Sequence, residues 1–230
     1  MRVRKFGAVL VHLFTASGVV CTLFAFIAMT DQAVGAFFLW LGLALFIDAA
    51  DGPLARFVDT KKYLPRFSGE HLDLIIDYLN YVVLPVFFIV SLPIIGGVSG
   101  FVAGALILLT SLFHFSDTSS KTLDGYFVGF PAIWNVVVFY LYVFKFNEMV
   151  ALGVILTLCL LTFIPIRWVH PFRVKKLRAL TTVVVILGSL AAVATVLGGF
   201  HPRMIETAVL ICAPLYLVGV SLKRNLGDVS

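Results

Sequence analysis

Asp48-Ala-Ala-Asp51-Gly52-Pro-Leu-Ala55-Arg56, then Gly69-Glu-His-Leu-Asp73-Leu-Ile-Ile-Asp77, is the stretch that decides how the chain is read. The first run closes an apolar segment and the second opens another, which puts both near one membrane face. Ionisable residues in apolar spans are costly and mark function by default. Asp48 and Asp51 are three apart, and Asp73 and Asp77 are four apart, so on helices each pair points to one side. Glu70 falls on the Asp73 face one turn earlier, and His71 reads as a capping or surface residue. Carboxylate pairs converging from two packed helices repel unless cations or protons intervene. An all-oxygen ligand set favours Mg2+, Mn2+ or Ca2+ over zinc or copper.

Working outward, the composition settles the class. Hydrophobic residues make up 61% of 230 and charged residues 13%, with a mean hydropathy of +1.06. A spanning helix needs about 20 mostly apolar residues. Eight segments qualify: 7–29, 33–52, 69–92, 97–115, 127–145, 148–166, 179–199 and 204–222. The expectation is an all-α integral membrane protein of eight transmembrane helices, one polytopic domain over 1–230 with its motif at 48–77. With the N-terminus in the cytoplasm, all Lys and Arg except Lys145 and Arg203 fall on the cytoplasmic side. Both termini and the aspartate cluster are therefore expected there. The net charge of +5 reflects loops facing anionic headgroups, and no nucleic-acid partner is implied.

The opening Met-Arg-Val-Arg-Lys imitates a secretory signal, but the apolar run after it is longer than a signal core. An uncleaved first helix is expected. Cys21, Cys159 and Cys212 all fall within spans without a Cys-x-x-Cys pairing, and read as small core hydrophobes. Gly52, Gly69 and the small Ala55 allow a ligand or a neighbouring helix to approach the backbone closely. Arg56 offers either a bidentate fork to phosphate or a simple anchor at the membrane surface. Pro53 should kink or loosen its helix. Asn80 and Asn135, polar in apolar surroundings, read as interhelical hydrogen-bonding residues.

The order of these residues resembles the integral-membrane CDP-alcohol phosphotransferases, whose pattern is D-x2-D-G-x2-A-R-x8-G-x3-D-x3-D. Asp48, Asp51, Gly52, Ala55, Arg56, Gly69, Asp73 and Asp77 match every named letter. The chain departs in the spacer, which holds twelve residues, 57–68, in place of eight. That longer spacer resembles the bacterial branch that forms phosphatidylcholine with choline as acceptor. Two further stretches look like that branch: Asp124-Gly-Tyr126-Phe127-Val-Gly129-Phe130-Pro131-Ala-Ile-Trp134-Asn135, and Trp168-Val-His170-Pro171-Phe172-Arg173.

What the resemblance implies is transfer of the phosphatidyl group of CDP-diacylglycerol to choline, releasing CMP, at the cytoplasmic face of the bacterial inner membrane. It implies two divalent cations, Mn2+ or Mg2+, held by Asp48, Asp51 and Asp73, with Asp77 as general base and further metal contact. Gly52, Ala55, Arg56 and Gly69 would receive the CDP moiety, and a homodimer is implied as well. A quaternary ammonium is best held by aromatic faces, and Tyr78, Tyr81, Tyr126, Phe127 and Trp134 are the candidates. Basic residues from Arg173 to Arg178 either collect anionic substrate or form an ordinary solvated loop. Two alternatives stay open: another acceptor such as serine, glycerol 3-phosphate or inositol phosphate, and an ion transporter using the aspartates. A transporter would want polar residues through the whole bilayer depth, whereas these acids cluster at one face.

Overall fold

The computed structural model describes residues 2–92, 94–120, 122, 125–169 and 177–227. Asp124, His170, Pro171, Phe172, Arg173, Lys175 and Lys176, singled out above, lie outside them. The chain divides into two compact units, Met1–Phe88 and Ile89–Ser230. Six helical segments among the described residues are long and apolar enough to cross a membrane: Val3–Thr30, Val34–Val58, Gly69–Ser91, Gly97–Ser116, Arg178–Leu197 and Met204–Lys223. Their outer faces carry large apolar side chains, with Phe46 and Phe101 each 65% exposed. Such a surface suits lipid rather than water. The chain is a helical multi-pass membrane protein.

The first unit opens with α1 (Arg2–Ala16) and α2 (Gly18–Thr30), joined almost without a break at Ser17. Helix α3 (Val34–Val58) runs through Pro53 and ends where Asp59 turns left-handed, at φ 60° and ψ 54°. A short helical turn, α4 (Thr60–Tyr63), follows, with Thr60 buried. The extra spacer residues thus become a folded element packed on α1 rather than a loose loop. Ser68 caps α5 (Gly69–Tyr78) by accepting a hydrogen bond from the His71 amide at 3.2 Å, a standard use of serine at a helix start. Helix α5 widens into a π-helical turn, Leu79–Val83, and continues as α6 (Leu84–Ser91).

Helix α2 lies along α3. Cys21, Ala44 and Ile47 form a core patch with Phe14 and Trp40, and Trp40 stacks on Phe24 at 4.7 Å. Deeper, Phe37 stacks on Phe88 at 4.9 Å, both fully enclosed. Gly18 is the point of closest approach: a Cβ there would sit 2.7 Å from the Ile76 side chain. Asn80 bridges the same contact. Its Nδ2 donates to Ile76 O (3.1 Å) and Gly18 O (3.4 Å), while its Oδ1 accepts from the Thr22 hydroxyl at 3.1 Å. The expected interhelical role of Asn80 is what the fold uses.

In the second unit, α7 (Gly97–Ser116) packs on α9 (Glu148–Leu161), and α10 (Arg178–Leu197) on α11 (Met204–Gly227). Two of the eight expected spans are shorter than foreseen: α8 (Trp134–Val143) has 10 residues and α9 has 14. At 1.5 Å per residue neither crosses about 30 Å of hydrocarbon by itself. Irregular backbone takes up the difference. Residues 126–128 form β1 (Tyr126–Val128), paired antiparallel with β2 (Arg167–Val169). Gly129 then turns at φ +77°, where any Cβ would lie 2.2 Å from Thr162 O. The ribbon rests on α11. Asn225 Oδ1 accepts from the Arg167 amide and its Nδ2 donates to Arg167 O, both at 3.0 Å, and Ser221 Oγ accepts from the Val169 amide at 3.0 Å. Cys21 and Cys159 are buried, Cys212 is exposed, and all three are free thiols.

Candidate metal centre

Asp48 stands near the end of α3, and Asp73 and Asp77 lie one turn apart on α5. One carboxylate oxygen from each lies within 4.8 Å of the other two, and all three residues are half-buried. Unit charges about 4 Å apart repel by about 4 kcal/mol per pair at an effective dielectric of about 20. Three such pairs need a counter-charge. Two oxygens bound to one cation at about 2.1–2.4 Å stand at most about 4.2–4.8 Å apart, so the trio can share an ion. The donor set is all oxygen, as a hard divalent cation requires.

Asp51 is not in that trio. Its side chain is buried beside Thr15 of α1, with Asp48 and Arg56 as its charged neighbours. The Thr15 hydroxyl itself donates to Val11 O at 3.2 Å. Helical geometry accounts for the separation: three residues turn about 300°, so Asp51 points about 60° away from Asp48. Glu70 also stays apart, in an exposed pair with Lys61 at 3.9 Å. Such surface pairs contribute little.

The candidate nucleotide residues lie around this cluster. Gly52 and Ala55 are half-buried and Arg56 is exposed; the open side of Gly52 faces the Arg56 guanidinium, 3.4 Å from where a Cβ would be. Gly69 has a neighbour that the motif does not reveal. A Cβ there would meet His12 Cε1 at 2.9 Å, and His12 Nε2 is buried with no hydrogen-bond partner among the described residues. Helix α1 therefore supplies two polar residues beside the motif, His12 and Thr15. Nothing in its own sequence links it to the aspartates, apart from the two polar side chains on an otherwise apolar face. Gly69→Ala is expected to lower the melting temperature in detergent by displacing the His12 ring. The same change in a His12→Ala background should cost clearly less, and equal losses in both backgrounds would exclude this contact as the reason for glycine.

Comparison with known proteins gives the chain a family. No protein-family model matches it. Curated relatives do: it is 40% identical over 215 residues to phosphatidylcholine synthase of Pseudomonas aeruginosa, covering 94% of this chain and 90% of that protein. The corresponding protein of Rhizobium meliloti is 38% identical over 215 residues, covering 93% and 89%. The chain belongs to the phosphatidylcholine synthase family. The Brucella melitensis phosphatidylcholine synthase is 42% identical over 177 residues, which span 77% of this chain and 64% of that protein's length. The family assignment agrees with the choline-accepting branch that the twelve-residue spacer resembles.

The five aromatic candidates for choline sit in different settings in this synthase-family chain. Trp134 is fully enclosed, donates Nε1 to Ser111 Oγ at 2.8 Å, and meets Phe130 edge to face at 5.1 Å. Those contacts make it a packing residue. Tyr126 is buried in the patch formed with Val169, Leu217 and Val220, and Phe127 lies half-buried opposite Trp168 in the ribbon. Among the described residues, the buried Asn135 Oδ1 and Trp168 Nε1 have no hydrogen-bond partner. Tyr78 is half-buried on α5 next to Asp77. Tyr81 lies in the π-helical turn, 6% exposed, and donates its hydroxyl to Asp48 Oδ2 at 2.8 Å.

Proposed function

We propose that this chain transfers the phosphatidyl group of CDP-diacylglycerol to choline, forming phosphatidylcholine and CMP. The observation that carries this reading is the convergence of Asp48, Asp73 and Asp77 from two helices, in a chain of the phosphatidylcholine synthase family. Asp48, Asp51 and Asp73 would be the metal ligands, for two ions of Mn2+ or Mg2+, with a further contact from Asp77; Asp51, which lies beside Thr15 here, would have to turn toward the other three to take part. Bound there, such ions neutralise the carboxylates and the pyrophosphate and stabilise attacking and leaving oxygens.

The chain's own groups do the rest. Asp77 accepts the choline hydroxyl proton; the choline oxygen forms its bond to the phosphorus bearing diacylglycerol as the bond from that phosphorus to the CMP oxygen breaks. Gly52, Ala55 and Gly69 leave backbone accessible to the nucleotide, and Arg56 holds a phosphate oxygen through its guanidinium fork. Tyr78, half-buried beside Asp77 on α5, is the aromatic group proposed to meet the choline cation, a contact worth about 0.5–2 kcal/mol.

The remaining features of the reading concern placement. The chain forms one polytopic domain of eight membrane passes, with both termini and the aspartates at the cytoplasmic face of the bacterial inner membrane, and works as a homodimer. The distribution of basic residues supports that orientation, with only Lys145 and Arg203 opposite. Supply of a water-soluble nucleotide headgroup on lipid tails supports the same face. Purified protein with Mn2+ and CDP-diacylglycerol is expected to release CMP only when choline is added. Release with serine, glycerol 3-phosphate or inositol phosphate, and none with choline, would overturn the acceptor assignment.

A further inference from the structure

We infer that Tyr81 is a positioning residue for the metal centre: its hydroxyl fixes the rotation of the Asp48 carboxylate, and the π-helical turn exists to bring it there. The inference rests on the metal-site reading above. Its geometric basis is separate. The Tyr81 hydroxyl donates to Asp48 Oδ2 at 2.8 Å, and the ring is 6% exposed, so the phenol is held by packing before any ligand arrives. Asp73 and Asp77 lie in the same electrostatic neighbourhood.

The winding of the helix explains how one residue reaches a carboxylate on another rod. Asp73, Asp77 and Tyr81 form a series with a four-residue step. On an α-helix each such step overshoots a full turn by about 40°, so the third member drifts from the face of the first. The π-helical turn Leu79–Val83 winds through fewer degrees per residue and cancels part of that drift. Asn80 anchors the turn from the other side, tied to Gly18 O, Ile76 O and Thr22. Sites of this kind often mark function, since a widened turn gives up regular hydrogen bonding.

A carboxylate that accepts a fixed hydrogen bond on one oxygen has lost its freedom to rotate about the Cβ–Cγ bond. Both oxygens then point in set directions. Partners of metal ligands act in this way, and their loss typically weakens metal binding by about 10–100-fold. The buried ring also leaves Tyr81 little face to offer a substrate cation.

The test uses full-length protein in detergent and Mn2+ alone as the first probe, read by electron paramagnetic resonance. Tyr81→Phe is expected to raise the Mn2+ Kd by about 10–100-fold. Saturating Mn2+ should restore kcat, and the choline KM should stay at the wild-type value. The double variant Asp48→Asn/Tyr81→Phe should bind Mn2+ no more weakly than Asp48→Asn, because the hydroxyl acts through that carboxylate. An unchanged Mn2+ Kd with a raised choline KM would overturn the inference and make Tyr81 an acceptor-binding residue. Additive losses in the double variant would also overturn it. Absence of Mn2+ binding by wild-type protein would instead remove the metal-site reading and, with it, this inference. If a melting curve shows Tyr81→Phe unfolded, Tyr81→His, which keeps a ring and a donor at a different reach, is judged by the same Kd and KM criteria.

Discussion

Asp73→Asn is expected to reduce choline-dependent CMP release by about 10²–10³-fold. The substitution keeps size and shape but removes one charge from a trio whose oxygens lie within 4.8 Å of each other. Folding should survive, since it relieves repulsion of about 4 kcal/mol per pair. The loss falls on ligand binding and on the charge that develops between attacking and leaving oxygens. Two measurements check it: turnover at saturating CDP-diacylglycerol and choline, and Mn2+ affinity without substrate. Both should fall while the melting temperature stays level or rises. Near-normal turnover would refute the ligand role of Asp73.

Asp77→Asn is the second large effect, with a different signature. Loss of a positioned proton acceptor typically lowers a rate by about 10²–10⁴-fold. Asp77 sits one turn further along α5 than Asp73, within the same trio. In the proposed role of general base, Asp77 leaves a different mark on replacement: kcat should fall strongly, and Mn2+ affinity far less than in Asp73→Asn. The contrast between the two variants is the diagnostic quantity. Parallel losses of Mn2+ binding in both would make Asp77 a ligand first and would remove its separate role in proton transfer.

The amino-acid sequence made the central geometry legible because helical spacing is a rigid rule. The four-residue step from Asp73 to Asp77 places both on one face, and Asp48 at the end of the preceding span meets them where those helices pack. The same rule, taken to finer angle, separates Asp51 from Asp48 and turns it toward Thr15. That separation depends on a third helix whose position no local pattern reveals. His12 was illegible for the same reason: its contact with Gly69 bridges 57 positions of chain and leaves no periodic trace.

The π-helical turn and the ribbon were illegible for a different cause. Leu79-Asn-Tyr-Val-Val83 carries no breaker, and its widening comes from packing and from the Asn80 anchors. Strands of three residues are too short for alternation to show, and apolar strands look like helix in an apolar chain. Pro131 and Pro165, near the ends of the two short helices, were the available hints that spans 127–145 and 148–166 would not run full length. Aromatic side chains make up 14% of residues, so an aromatic near the motif is a weak pointer, as the enclosed Trp134 illustrates.

Asn225 closes an otherwise open problem in the second unit. A two-stranded ribbon has outer edges whose amides and carbonyls would attract a neighbouring polypeptide. By presenting a carboxamide to Arg167 as donor and acceptor together, Asn225 mimics one peptide unit of a missing third strand. The last turn of α11 thereby occupies the β2 edge at Arg167 as a strand would.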